Sequence, residues 1–92
     1  MTYEVLFFTA SWCEPCRQAA PIFSEVVREF DVSARFVDVD LSPDLADSHD
    51  ITMLPTIVVD GGEGEKSSLT GSRPKAEIRS FLTRALGSIK ST

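Results

Sequence analysis

Cys13 and Cys16 are the residues whose type and spacing most directly suggest chemistry. Two cysteines three positions apart at a helix N-terminus face the same side and can form a disulfide. The free amide hydrogens and the dipole at that end stabilise a thiolate on the first cysteine, which lowers the thiol pKa from roughly 8.5 towards neutrality. Cys13 would then attack a disulfide, and Cys16 would resolve the mixed disulfide that forms. A pair of reduced core cysteines is the alternative interpretation.

This chemistry requires a strand and a helix on either side of the pair, and the sequence predicts both. Val5–Phe8 is a continuous apolar run of strand length, as expected of a strand covered on both faces. From Glu14 to Phe30, apolar residues recur at helical spacing, which predicts a helix of about four turns. Pro21 lies inside this pattern, and we expect it to bend the helix without ending it.

A second strand and a short second helix are predicted next. Ala34–Val39 should lie parallel to the first strand, because a helical crossover joins the two. Ser42 and Pro43 mark the start of the second helix, as a capping hydroxyl and a proline whose missing amide hydrogen costs nothing there. The helix is predicted to end near His49, which we expect to be a polar residue at the surface.

The last third of the chain predicts a hairpin and a third helix. Thr56–Val59 and Lys66–Leu69 are the two strands, with a turn at Gly61–Gly64. Pro74 begins the last helix, whose apolar positions recur at helical spacing as far as Ile89. The predicted order βαβαββα indicates an α/β fold with a mixed four-stranded sheet and three helices.

Composition limits the domain count and the classes of partner. The chain has 92 residues, which fits a single domain over residues 1–92 and leaves no room for two. Its 9 Lys plus Arg against 14 Asp plus Glu give a net charge of −5, which argues against a nucleic-acid binder or a polybasic membrane-surface protein. Met1–Phe8 lacks the features of a secretory signal, so we expect a cytoplasmic protein, where thiols are normally reduced.

The residues around the two cysteines resemble the active-site segment of the thioredoxin family. Trp12 directly precedes the first cysteine, and Pro15 directly precedes the second. Arg17 follows the second cysteine, and Pro21 lies in the helix five residues after that cysteine. All four match that segment, and the resemblance covers roughly Val5–Leu86.

Two further segments are similar to the same family and imply a substrate groove beside the cysteines. Leu54, Pro55 and Thr56 are similar to the loop whose proline is cis in this fold. Thr70 and Gly71 are similar to the turn before the last helix. An extended substrate segment would pair with the exposed backbone of the first of these loops. The implied groove residues are Trp12, Leu54, Pro55, Thr56, Thr70 and Gly71.

The resemblance also implies an activity and its partners. It implies a thiol-disulfide oxidoreductase that reduces disulfides in other proteins, acts as a monomer, and needs no bound cofactor or metal. The electrons would come from an NADPH-dependent flavoprotein, a thioredoxin reductase. Nucleic acid and membrane are not expected partners.

The chain departs from the family pattern in three ways. Glu14 replaces the usual glycine, and its charge should raise the pKa of the first thiol, while Arg17 offsets part of that effect. Phe7 and Phe36 stand where thioredoxins have a buried aspartate and a lysine. Proton transfer at the second cysteine would then use water or another group such as Glu14. Only 12 residues precede the first cysteine, so we expect the minimal version of the fold.

Other functions are weaker interpretations of the same residues. A glutaredoxin-like electron donor, for example to ribonucleotide reductase, fits the length, although Gly71 stands alone where glutaredoxins carry two glycines. A thioredoxin-like binding module without turnover would have no need of a second thiol. A zinc site at Cys13, Cys16 and His49 lacks a second cysteine pair.

Overall fold

A mixed four-stranded sheet organises the computed structural model, which describes residues 3–62 and 65–87. The spatial order is β2-β1-β3-β4, with β1 and β2 parallel and the other two pairings antiparallel. This confirms the predicted element order and the mixed sheet. The elements are β1 (Glu4–Thr9), α1 (Glu14–Val27), β2 (Ser33–Asp38), α2 (Pro43–Ser48), β3 (Thr56–Gly62), β4 (Glu65–Thr70) and α3 (Lys75–Gly87).

Strand β1 divides the core into two sides, because successive residues of a strand point to opposite faces. Val5 and Phe7 join the cluster that α1 and α3 cover, which we call the two-helix side. Leu6 and Phe8 join the cluster that α2 covers, which we call the α2 side. All four side chains are buried, as the continuous apolar run predicts.

The two-helix side holds the larger cluster. Its ring contacts join Phe7 to Phe23 at a centroid distance of 4.9 Å and Phe7 to Phe36 at 5.1 Å. Phe36 lies on the edge strand β2 and is 49% exposed, so it closes one border of this cluster. The buried members are Val5, Phe7, Ala19, Phe23, Val26, Ile57, Val59, Ile78, Phe81, Leu82 and Leu86.

The α2 side is thinner. The six-residue helix α2 covers it, and its buried members are Leu6, Phe8, Val37, Ala46 and Val58.

No helix within residues 3–62 and 65–87 has the length and apolar character needed to cross a membrane.

Several predicted boundaries need correction. Helix α1 continues through Pro21 but ends at Val27, so Phe30 lies beyond the helix while still packing against the two-helix side. Gly61 and Gly62 continue β3, where the register with β4 shifts, so the turn does not begin at Gly61. Ser42 is the N-cap of α2 by position, but its side chain makes no capping hydrogen bond. The rest of the predicted turn, residues 63–64, and Ile89 lie outside the described residues.

Candidate active site

The two cysteines lie at the N-terminus of α1 and are joined by a disulfide. Cys13 is the N-cap residue, and Cys16 lies in the first turn with its Cα 5.3 Å from that of Cys13. The backbone N–H of Cys16 donates to Cys13 Sγ at 3.3 Å. A donor aimed at sulfur from the positive end of the helix also stabilises a thiolate. Both residues are buried in this oxidised form, Cys13 at 4% and Cys16 at 1% exposure.

Two exposed charged residues flank the disulfide. The Arg17 guanidinium lies 3.6 Å from the Glu14 carboxylate and also donates to the backbone carbonyl of Ser11 at 3.1 Å. Arg17 therefore joins the residues before and after Cys13. Because both charged groups are at the surface, solvent screens their effect on the nearby sulfur.

Trp12 projects from the site and is fixed by a hydrogen bond. Its indole is 68% exposed, and Nε1 donates to Asp40 Oδ2 at 2.8 Å. The loop that carries Asp40 is itself ordered by Asp38, whose carboxylate accepts from the backbone N–H of Asp40 at 2.8 Å. This exposure excludes ordinary core packing as the explanation for the tryptophan.

A pocket of about 580 Å³ lies directly against the disulfide. Residues 12–15 line it from the side of α1, and residues 51–54 line it from the loop before β3. Val39 and Ala46, from the α2 side, complete it. Most of these side chains are apolar, so the pocket suits an apolar or extended segment of a partner next to the sulfur of Cys13.

The loop before β3 is held in place from two directions. The Leu54–Pro55 peptide bond is cis, as the resemblance implies. The hydroxyl of Thr56 donates to the carbonyl of Met53 at 2.6 Å. From the other direction, the backbone N–H of Gly71 donates to the carbonyl of Pro55 at 2.7 Å. Gly71 has φ of +88°, a region that favours glycine.

The structure brings the predicted groove residues together in two groups. Trp12 and Leu54 line the pocket with Cys13. The other four do not line it: Pro55 and Thr56 are buried, and Thr56 pairs with Thr70 in the β3–β4 ladder next to Gly71.

Sequence reasoning missed the pocket residues Val39, Ala46, Ile51, Thr52 and Met53, and it missed Asp40. Asp40 holds the tryptophan. Met53 directly precedes the segment Leu54–Thr56, so its place in the sequence could have indicated that it belongs to the site. The partnership of Trp12 with Asp40 spans 28 positions, and nothing local in the sequence indicates it.

His49 is buried, so the prediction that it lies at the surface is wrong. Its side chain is 5% exposed and its ring lies 5.5 Å from that of Phe8, centroid to centroid. Nδ1 has no hydrogen-bond partner, and Nε2 lies 3.9 Å from an Asp60 oxygen. Burial, with a smaller contribution from Lys66, lowers the pKa of His49, against the opposing charges of Asp60, Glu4 and Asp50. The side chain of His49 therefore packs against the α2 side.

Phe7 and Phe36, which stand where thioredoxins have a buried aspartate and a lysine, lie side by side in the sheet. Phe7 is fully buried and pairs with Phe36 in the parallel ladder of β1 and β2. Neither ring carries a titratable group. Among residues 3–62 and 65–87, no group of three or more His, Cys, Asp or Glu side chains is arranged to hold a metal ion.

A disulfide at a helix N-terminus, beside a cis-proline loop and on a mixed four-stranded sheet, defines a protein of the thioredoxin-fold class. A family model described as Thioredoxin matches residues 2–84. The chain belongs to the thioredoxin family.

Individual relatives agree with this assignment. A thioredoxin of Mycoplasma genitalium is 41% identical over 76 residues, which are 80% of this chain and 74% of that protein. The chloroplastic M-type thioredoxin of Zea mays is 31% identical over 83 residues, 88% of this chain, and the match spans only 50% of the maize protein. The X-ray structure of Fasciola hepatica thioredoxin superposes with a TM-score of 0.80 at 30% identity, over 91% of this chain and 81% of that chain.

Proposed function

We propose that the chain is a thiol-disulfide oxidoreductase that reduces disulfide bonds in other proteins. The Cys13 thiolate attacks one sulfur of the target disulfide, which forms a mixed disulfide and releases the other target sulfur as a thiolate. Cys16 then attacks Cys13 Sγ, releasing the second target sulfur and forming the bond between Cys13 and Cys16. Two electrons pass from the protein dithiol to the target, and the two released thiolates take up protons at neutral pH.

One observation carries this proposal, the bridged cysteine pair that borders an apolar pocket. The bridge closes within the first turn of α1, so the pair can open and close without moving the rest of the fold. The N–H of Cys16 already points at Cys13 Sγ, which supports Cys13 as the attacking thiolate. Cys13 also lines the pocket, which supports its contact with a target.

The groove role of the loop before β3 is part of the proposal. An extended target segment would lie along Leu54 and pair with its backbone, between Trp12 and the loop. The contacts of Met53 and Pro55 with Thr56 and Gly71 hold that backbone in place. A held backbone loses little conformational freedom on binding, which favours affinity.

Proton exchange at Cys16 would run through water. Phe7 and Phe36 offer no proton carrier on the neighbouring strands. Glu14 is the nearest carboxylate in sequence that also lines the pocket, and it is exposed to solvent. We expect the resolving step to depend on water that reaches the pocket.

The supply of electrons and the cellular setting are proposals of the same kind. An NADPH-dependent flavoprotein reductase would regenerate the dithiol, and the chain itself would act in the cytoplasm as a monomer without a bound cofactor. The family assignment supports a reductase partner.

Insulin reduction by the purified, pre-reduced protein tests the activity. We expect turnover by the unaltered chain, none by Cys13→Ser, and a trapped covalent complex with the target in Cys16→Ser. A Cys13→Ser, Cys16→Ser double variant is the matched control and should trap nothing.

The same assay separates the alternatives. Absence of turnover, together with an unchanged partner affinity in Cys13→Ser, would favour a binding module over an enzyme. Faster regeneration by glutathione than by a thioredoxin reductase would favour the glutaredoxin-like donor.

A further inference from the structure

The charges of the chain are distributed unequally around the pocket. The sequence from Phe36 to Glu65 contains no lysine or arginine. This segment includes α2, β3, the loop between β2 and α2, and the loop between α2 and β3. All positive residues therefore lie elsewhere in the chain: Arg17, Arg28, Arg35, Lys66, Arg73, Lys75, Arg79, Arg84 and Lys90.

One carboxylate lines the pocket, a second contacts a lining residue, and a third lies on a helix that carries a lining residue. Glu14 lines it beside the disulfide. Asp40 is exposed and contacts the indole of Trp12, which also lines the pocket. Asp44, exposed in the first turn of α2, belongs to the same helix as the pocket residue Ala46.

Arg17 is the positive residue nearest to the disulfide in sequence, and its contacts limit its effect. Its guanidinium is shared between the Glu14 carboxylate and the Ser11 carbonyl. It offsets one negative charge, while Asp40 and Asp44 have no such cation within the segment that carries them. Glu14 and Asp40 therefore leave one negative charge beside the pocket that Arg17 does not offset.

We propose that this site selects protein disulfides whose cysteines are flanked by lysine or arginine. The inference rests on the proposed function, because it names the class of target that the same pocket would reduce. A cationic segment approaching Cys13 would be attracted by Glu14 and Asp40, whereas an acidic segment would be repelled. An apolar side chain of the same segment would enter the space between Trp12 and Met53, and Met53 is 56% exposed there.

Two synthetic peptides test the selection. Each carries one intramolecular disulfide, and they differ only in having lysine or glutamate on both sides of each cysteine. The pre-reduced protein is mixed with each peptide in a single turnover, in which the dithiol supplies both electrons and the peptide gains two thiols. Fluorescence of Trp12, the single tryptophan of the chain, follows the second-order rate. Rates with dithiothreitol correct for the intrinsic reactivity of each peptide.

We expect the lysine peptide to react about five- to tenfold faster than the glutamate peptide at low ionic strength after this correction. The ratio should approach one near 1 M salt, where the screening length falls to about 3 Å. Glu14→Gln and Asp40→Asn should each lower the ratio by about two- to threefold. Asparagine at position 40 keeps an oxygen that can accept from Trp12, so the tryptophan remains held.

Glu25→Gln is the matched control. It removes the same charge from α1 at a residue that pairs with Lys75, eleven positions from Glu14, and it should leave the ratio unchanged. A ratio near one at low salt, or an equal fall in the ratio in Glu25→Gln, would overturn the charge selection. If both peptides are reduced equally, the oxidoreductase proposal stands without it. If neither reacts faster than with dithiothreitol, the proposed function itself fails.

Discussion

The two sides of the sheet differ in thickness and in what they hold. On the two-helix side, α1 and α3 pack over a large aromatic and aliphatic cluster, and the surface ion pair of Lys75 with Glu25 joins the two helices. On the α2 side, one helix of six residues covers a small cluster, and the buried side chain of His49 packs against Phe8 of that cluster. The helix that carries the disulfide is anchored to the first side, and the loop that lines the pocket adjoins the second.

This difference separates chemistry from recognition. The cysteine pair depends mainly on the position of α1, which the large cluster fixes, although Val39 and Leu54 also pack against the pair. The pocket depends also on Ile51 and Leu54, which pack against the smaller cluster. We therefore expect changes on the two-helix side to act mainly on stability, and changes on the α2 side to act on stability less and on substrate contact more.

The largest test of the contrast uses two adjacent residues of β1. Phe7 and Phe8 are both fully buried, and they point to opposite sides. Phe7→Ala should lower the free energy of unfolding by about 4–5 kcal/mol, and Phe8→Ala by about 3 kcal/mol, because a cavity beneath a short helix closes more easily. Urea unfolding of the disulfide form measures both. An equal or larger loss in Phe8→Ala would break the contrast.

The next test concerns the link between the sides. Gly71 precedes α3 and donates to Pro55 in the pocket loop. Gly71→Ala should destabilise the protein by about 1–2 kcal/mol, because alanine is disfavoured at φ of +88°. Steric conflict is not the reason, since an added Cβ would meet only Arg73 Nε at 3.7 Å. Thermal unfolding beside the exposed-neighbour control Ser72→Ala measures the effect, and equal melting temperatures would contradict it.

A smaller effect is expected from the pH dependence of the α2 side. The pKa of His49 is lowered in the folded state, so the unfolded state binds the proton more readily. Its contribution to stability is complete above the unfolded pKa, near 6.5, and is lost as the pH falls towards the folded pKa. The wild type should therefore lose more stability between pH 7.5 and 5 than His49→Gln, as urea midpoints would show.

Carboxylates titrate in both proteins of that comparison, so the difference between the two profiles isolates the histidine. Parallel profiles would mean that His49 does not sense pH, and the α2 side would then resemble the other side in this respect.

The smallest effect should come from the ion pair on the two-helix side. Arg79 Nε and Nη2 donate to the two Glu29 oxygens at 2.8 and 2.7 Å, and this contact lowers the pKa of Glu29. Because both groups are exposed, Arg79→Gln should lower the urea midpoint only slightly. The difference from wild type should shrink in 1 M salt. A large, salt-independent loss would show that the surface pair, and not the buried cluster, holds this side.

Much of the fold could be predicted from the sequence because its signals are local and apolar. The run at Val5–Phe8 and the helical spacing after Glu14 identified β1 and α1, and the cysteine spacing located the site between them. Tertiary contacts decided the rest. Phe30 keeps the helical spacing but lies past the end of α1, and Gly61 lies within β3, where the register with β4 shifts, although glycine favours turns.

The site was likewise predictable only where its signals lie close together in the sequence or in a family motif. The cis peptide bond before Pro55 could be expected only from the family resemblance, since most bonds before proline are trans. The burial of His49 could not be predicted, because it depends on a contact with Phe8 across the core. The hydrogen bond from Trp12 to Asp40 joins two loops that are distant in sequence and adjacent only in the folded chain.

The alternation of side chains along β1 has an evolutionary consequence. Residues that anchor α1 and residues that support the pocket are neighbours in the chain but pack in separate clusters. Exposed substitutions at Asp40, Leu41 or Met53 can therefore alter which partners the pocket admits without touching the cluster of Ala10, Cys13 and Cys16. Descendants of such a chain could specialise for new targets one surface substitution at a time, with the same two sulfur atoms at work throughout.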